Sequence, residues 1–292
     1  MSTANDKQMK NKIGFNVLAW SAAVSDDLKP IIDRLKTTGY DGVEFLVGAP
    51  DEQAYKNIGK HVRDLGMETT TVFVLGPDEN PIDPNASVRA KALDKIKWTI
   101  DRSYDLGAKL ICGPFHSAFT VFAKRAPEES EYDRSAEVLH KAGDYAQQAG
   151  ILLTPEALNR FECYLCNTMD QLIHLLKKVD HPHVKAMFDT HHANIEEKKL
   201  GDAIRKIAPM LGHVHISEND RGTPGSGHVP WDDAFSALAE VGFDGWLTIE
   251  GFTRNDPDFA NSIGVWREFS QPWEMAENGL KFIKEMGAKH GL

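Results

Sequence analysis

A chain of 292 residues suits one large domain, and its 41% hydrophobic and 26% charged residues give a globular balance with ample material for a core. The formal net charge of −10, with no long run of Lys or Arg to offset it, argues against a polyanionic partner and so excludes a reader of DNA or RNA. Three cysteines, Cys112 and the lone Cys163-x-x-Cys166 pair, are too few for a disulfide framework or a zinc ribbon and read as reduced thiols of a cytoplasmic protein.

In chain order, residues 1–12 read as a disordered polar tail. Lys7, Lys10 and Lys12 precede an apolar stretch in the manner of a signal peptide, but Asn16 and Trp20 interrupt it, and the alternation over 13–19 fits a strand. From there one pattern repeats. Short β-rich runs at 13–19, 42–47, 69–75, 109–113, 151–156, 184–189, 213–217 and 246–250 alternate with amphipathic helical stretches near 25–38, 51–65, 86–106, 128–148, 168–180, 199–208, 231–241 and 272–289. Gly39, Gly66, Gly107, Gly150 and Gly242 each close a helical stretch, where a left-handed cap belongs. Eight strand–helix units in strict alternation predict an α/β fold, a single-domain (β/α)8 TIM barrel over residues 13–292. An open doubly wound sheet would carry a Gly-rich nucleotide loop after its first strand, and none follows here. No stretch reaches about 18 consecutive apolar residues, so no membrane partner is expected.

Active sites of such barrels form at the carboxyl ends of the strands. The last four runs end in LLTPEAL, AMFDTHH, HVHIS and LTIEGF, which put Glu156, Asp189, His215 and Glu250 at successive strand ends. Three carboxylates and one imidazole converging above the barrel axis form a metal ligand set. Its hard oxygens with a single nitrogen suit Mn2+, Mg2+ or Co2+ better than a structural zinc, and Mn2+ is the expected cofactor. For any one residue the bland alternative is strong: Asp189 or Glu250 alone could simply cap the helix that follows. Four at consecutive strand ends is a different matter.

The segments EALNRFE (156–162), FDTHHANIEE (188–197), GHVHISENDRGTPGSGHVPW (212–231), IEGF (249–252) and GVWRE (264–268) together resemble the D-tagatose/D-psicose (ketose) 3-epimerase family of the xylose isomerase-like sugar isomerase and epimerase barrels. The likeness spans essentially the whole chain and is densest beyond residue 150. It implies a metal-dependent isomerase acting on a free ketohexose or ketopentose, in which the ligands Glu156 and Glu250 double as the two acid/base groups. It also implies that Glu162, His192 and Arg221 bind the O1–O3 end of the sugar, and that the protein is a homodimer or homotetramer. The chemistry asks for these types independently. A proton beside a ketone is too weakly acidic for a free carboxylate to remove quickly, so a cation must polarise the carbonyl and stabilise the enediolate. Inversion then needs a second carboxylate on the opposite face to return a proton.

Phe15, Asn16, Trp20 and Phe119 lie at or just beyond the ends of the first and fourth strands; Asn16 and Phe119 are assigned to the substrate pocket, with core packing the default alternative for the aromatic residues. Glu44 reads as a barrel-interior partner rather than a catalyst, and His191 as structural beside His192. The first half of the chain, where the pocket for C4–C6 would be built, departs most from the family pattern, so the preferred ketose stays open. An aldose–ketose or hydroxypyruvate-type isomerase would share the metal and proton shuttle; the NRFE segment with Arg221 favours the 3-epimerase. A non-catalytic sugar-binding barrel would be expected to have lost a ligand or acid/base group, and none is missing.

Overall fold

The structure, a computed structural model, describes residues 9–292. Eight parallel strands, β1 (Ile13–Asn16), β2 (Gly42–Leu46), β3 (Glu68–Val72), β4 (Leu110–Gly113), β5 (Leu152–Pro155), β6 (Ala186–Asp189), β7 (Leu211–Ile216) and β8 (Leu247–Ile249), run in the order β5-β4-β3-β2-β1-β8-β7-β6. Isolated parallel bridges Leu153–Val184 and Glu156–Met187 join β5 to β6 and bring the sheet round to a (β/α)8 barrel. Helices α1 (Lys29–Thr38), α2 (Glu52–Asp64), α3 (Ala86–Leu106), α4 (Glu129–Ala149), α5 (Met169–Val179), α6 (Thr190–Glu196), α7 (Leu200–Ile207), α8 (Trp231–Glu240), α9 (Pro257–Ser262) and α10 (Pro272–His290) surround it. Two of them, α6 and α9, were not anticipated from periodicity, because six or seven residues are too few to show an amphipathic repeat. No helix among the described residues is long and apolar enough to cross a membrane.

Local chemistry sets these boundaries. The Asp51 side chain accepts from the Gln53 and Ala54 N–H groups to start α2, and Thr168 with Gln171 forms a capping box at α5. All five glycines expected to close helices have positive φ, from 64° to 110°. Of the expected tail, residues 1–8 lie outside the described residues. Beyond them, Met9 packs against the main core, and buried Asn11 donates to the carbonyls of Phe243 (2.9 Å) and Gly245 (3.0 Å) at the amino-terminal end of β8.

Alternation along the strands divides the apolar residues between two cores. Outward residues such as Phe15, Phe45, Val214 and Ile249 are fully buried under the helices. Burial of each large side chain contributes about 1.5–3 kcal/mol. Inward residues form a smaller cluster of Val72, Leu110, Cys112 and Met187, closed by Leu18 just after β1. The same inward parity carries Asn16, Glu44, Thr70, His213 and His215, so the upper barrel interior is polar, and all of these are buried.

Gly113, the last residue of β4, ties this frame to the site. Its φ is +123°, and a Cβ there would stand 2.3 Å from the Phe73 carbonyl oxygen. Its own carbonyl accepts from the Glu156 N–H at 2.9 Å. Gly113→Ala is therefore expected to destabilise the protein by about 2–4 kcal/mol in denaturant titrations. A change below about 0.5 kcal/mol would show that β4 and the chain after β3 need not approach this closely.

Candidate active site and metal centre

The four strand-end residues meet. Glu156 follows β5, Asp189 ends β6, His215 is the penultimate residue of β7, and Glu250 follows β8. The β6–β7 register pairs Asp189 directly with His215, so two of the four are lateral neighbours on adjacent strands. His215 Nδ1 lies 3.6 Å from Asp189 Oδ2 and 3.4 Å from Glu250 Oε2. Ligand atoms of Glu156, Asp189 and His215 all lie within 4.8 Å of one another. The helix-cap alternative for Asp189 is also true. Its Oδ1 accepts from the His191 (2.6 Å) and His192 (3.1 Å) N–H groups at the start of α6. This cap fixes the carboxylate so that Oδ2 faces the cluster, where Ser217 Oγ donates to it at 3.0 Å.

The donor set fits a divalent cation. Glu156 Oε1 and His215 Nδ1 are buried polar atoms with no hydrogen-bond partner. Burial, and then the like charges of Asp189 and Glu250, push the Glu156 carboxyl well above the usual range. Burial acts the same way on Asp189, but the Arg221 guanidinium, with His192 and His215, outweighs it and holds Asp189 well below the usual range. Burial would lower His215, yet the Glu44 and Glu250 carboxylates raise it well above its ordinary value. The directions for Glu156 and His215 both report a surplus of buried negative charge, which a cation on Glu156, Asp189, His215 and Glu250 would answer.

Beside the set lies a cavity of about 800 Å³. Glu156, Glu162, His192, Arg221 and Glu250 line its polar end. Arg221 is buried, with Nη1 2.9 Å from both Asp189 Oδ2 and Glu250 Oε2, and Nη2 2.8 Å from His192 Nε2. The Asn159 backbone N–H donates to His192 Nδ1 at 3.1 Å, and Nε2, the nitrogen beside Arg221, also lies 3.7 Å from Glu156 Oε1. Burial and Arg221 both lower the His192 pKa well below its usual value and keep it neutral. Glu162 is half-buried and accepts from Asn159 Nδ2 at 2.9 Å.

Phe119 also lines the cavity, and first-half residues Leu18, Leu46, Val72 and Val74 give it an apolar wall. Asn16 does not line it. It is fully buried beneath the ligand set, with Nδ2 engaged by Glu44 (3.0 Å) and Glu250 (3.1 Å) and Oδ1 by the Leu18 N–H (3.0 Å). The expected sugar contact is corrected here: with every polar atom bonded to protein, Asn16 supports Glu250 from below. Phe15 and Trp20 are packing residues, 5.2 Å apart between ring centres. His191 does border the cavity, but its Nδ1 is tied to the Glu218 carbonyl at 3.1 Å, and burial lowers it to about 4.

Sequence reasoning missed two supports. Ser217 holds Asp189, and Glu218, fully buried, accepts from the Asn219, Gly225 and Val229 N–H groups and from Trp231 Nε1, which shapes the loop carrying Arg221. A carboxylate within a Gly-rich stretch was the available signal for Glu218.

Comparison with known proteins shows the family and the fold. The family model described as "Xylose isomerase-like TIM barrel" matches residues 32–286. The D-psicose 3-epimerase of Ruminiclostridium cellulolyticum is 32% identical over 267 residues, covering 89% of this chain and 90% of the relative. A solved L-ribulose 3-epimerase superposes with a TM-score of 0.90 at 28% identity, covering 96% of both chains. The D-allulose 3-epimerase of Methylomonas sp., crystallised with D-allulose, gives 0.88 at 26% identity, covering 94% of this chain and 97% of that one.

Cation binding to the folded chain alone is expected to raise its melting temperature. At a Mn2+ concentration of about 100 Kd the stabilisation is about 2.7 kcal/mol, which for a chain of this length is a shift of about 4 °C, reversed by a chelator. An unchanged melting temperature across a Mn2+ titration would contradict the fit.

Proposed function

Because this chain belongs to the ketose 3-epimerase family of the xylose isomerase-like TIM barrels, and is an isomerase, we propose that it inverts C3 of a free ketohexose or ketopentose with Glu156 and Glu250 as the proton-transferring pair. The observation that carries this reading is the convergence of buried Glu156, Asp189, His215 and Glu250 on the polar end of a cavity shared with Glu162, His192 and Arg221. Those four residues would hold the divalent cation, Mn2+ by preference, with Co2+ or Mg2+ as alternatives. When bound, it supplies Lewis acidity that polarises the substrate carbonyl and stabilises the charge of the enediolate.

The protein groups do the rest. Arg221, Glu162 and His192 hold the O1–O3 end of the sugar. Glu156 and Glu250 stand three strands apart around the barrel and address opposite faces of C3. One, ionised, removes the C3 proton; the other, protonated, delivers a proton to the opposite face, and the roles exchange for the reverse reaction. Asp189, held ionised, remains a pure ligand. Phe119 and the apolar wall enclose the far end of the sugar. The reading includes a cytoplasmic location and a homodimeric or homotetrameric state. Free, buried Cys112, Cys163 and Cys166 support the first, and the family resemblance supports the second.

The test is a panel of free ketohexoses and ketopentoses incubated with the Mn2+-loaded protein in D2O. The 3-epimer should form with deuterium at C3 and none at C1. Aldose formation with label at C1 or C2 would favour the aldose–ketose isomerase instead, and no product from any ketose would contradict both.

A further inference from the structure

Glu44 lies at the centre of β2, fully buried below the ligand set, and is not among the residues that line the cavity. Its carboxylate gathers five donors from four strands, β1, β3, β4 and β7. Oε1 accepts from His215 Nε2 (2.7 Å) and Asn16 Nδ2 (3.0 Å), and Oε2 from Thr70 Oγ1 (2.8 Å), His213 Nε2 (3.0 Å) and Cys112 Sγ (3.4 Å). Packing does not ask for a charge here, because the interior of such a barrel is ordinarily filled by branched apolar side chains. A buried carboxylate is costly unless its partners are well placed.

The geometry of the two upper contacts says what it does. A neutral imidazole, the form that binds a cation, presents the lone pair of Nδ1 on the opposite edge of the ring when it donates Nε2–H to a carboxylate. That edge faces Asp189 and Glu250 at 3.6 and 3.4 Å, where the cation ligands meet. The second contact runs through Asn16. Its amide places one N–H on Glu44 Oε1 and the other on Glu250 Oε1, while its carbonyl oxygen takes the Leu18 N–H. A flipped amide would set oxygen against two carboxylates, so the orientation is fixed. Asn16 is thus a strut that holds Glu250 Oε1 and leaves Oε2 turned towards His215 and Arg221.

We propose that Glu44 is a positioning residue for the metal centre: it selects the coordinating nitrogen of His215 directly and fixes the Glu250 carboxylate through Asn16, so that the affinity of the site for a divalent cation depends on it. The inference rests on the proposed function only in taking the four strand-end residues as ligands. The readout is cation binding, measured without substrate.

Mn2+ affinity would be measured by titration of the unaltered 292-residue chain and of Glu44→Gln, Asn16→Ala and His213→Gln. Glu44→Gln keeps the shape of the side chain but removes its charge, and should weaken Mn2+ binding by about 10–100-fold. Asn16→Ala severs only the strut and should weaken it by a smaller factor; it decides the matter if Glu44→Gln does not fold. His213→Gln alters a donor to Glu44 Oε2 that hydrogen-bonds no ligand, its ring packing edge-on against His215 with 5.1 Å between centres, so it should lower the melting temperature and weaken Mn2+ binding by much less than Glu44→Gln. The visible absorption of the Co2+-loaded protein should change shape in Glu44→Gln and not in His213→Gln, since only the former frees His215. Failure of the unaltered chain to bind Mn2+ would overturn the ligand set and the inference with it. Binding by the unaltered chain, with Glu44→Gln or the strut variant within about twofold of it, would overturn the inference alone. Equal weakening in all three variants would also overturn it, by showing a loss of packing rather than of positioning.

Discussion

Glu44, Glu156, Asp189 and Glu250 bring four carboxylates to one end of the barrel interior, none more than 5% exposed. Two like charges 4 Å apart repel by about 4 kcal/mol at an effective dielectric of 20, so such a cluster persists only where each charge is compensated. Glu44 is compensated by five donors, from β1, β3, β4 and β7. Asp189 is compensated three ways, by the N-terminus of α6, by Ser217 and by Arg221. Glu156 and Glu250 are the least provided for: Glu250 has Asn16 and Arg221, and one oxygen of Glu156 has no hydrogen-bond partner at all. The compensation is weakest where the proposed chemistry needs a cation and a mobile proton.

The fold supplies this arrangement through rigid elements and one shaped loop. Strand ends place the four ligands, and the β6–β7 register makes two of them neighbours. Arg221 comes from outside the sheet, at a φ of +64° that residues other than glycine seldom adopt. Its own N–H is bonded to the Glu218 carbonyl, and the buried Glu218 side chain pins the turn on either side. Strain of about 1–3 kcal/mol at such a residue survives only where the surroundings over-determine it. Here the loop delivers a fixed positive charge over the carboxylates, with the guanidinium also stacked 4.8 Å from the Phe252 ring.

Much of this was legible in the sequence because the barrel writes its topology as a repeat. Each strand shows two-residue alternation, each helix a 3.6-residue stripe, and the ligands fall at the same place in four consecutive repeats. What could not be read depends on register and on side-chain direction. Asn16 was expected at the substrate because it stands at a strand end; the β1–β2 register that sets it beside Glu44 turns its amide inwards instead. Glu44 was correctly read as interior, but its bond to His215 joins residues 171 positions apart and leaves no local trace. For Asp189, helix cap and ligand were weighed as alternatives, whereas its two oxygens serve the two roles separately. The apolar wall from the first half of the chain has no motif at all, since any branched residue at those positions would look like core.

The account turns on two carboxylates working on opposite faces of one carbon, and solvent hydrogen exchange tests that most directly. Glu156→Gln and Glu250→Gln would each be loaded with Mn2+, their metal content verified, and each would be given both C3 epimers of an accepted ketose in D2O. Neither variant should interconvert the epimers, with a loss on the order of 10³-fold or more. Each should exchange the C3 hydrogen of only one epimer without inverting it, and the two variants should select opposite epimers. If either metal-loaded variant still interconverts the epimers at near the unaltered rate, a single mobile base does the work and the two-carboxylate account is wrong.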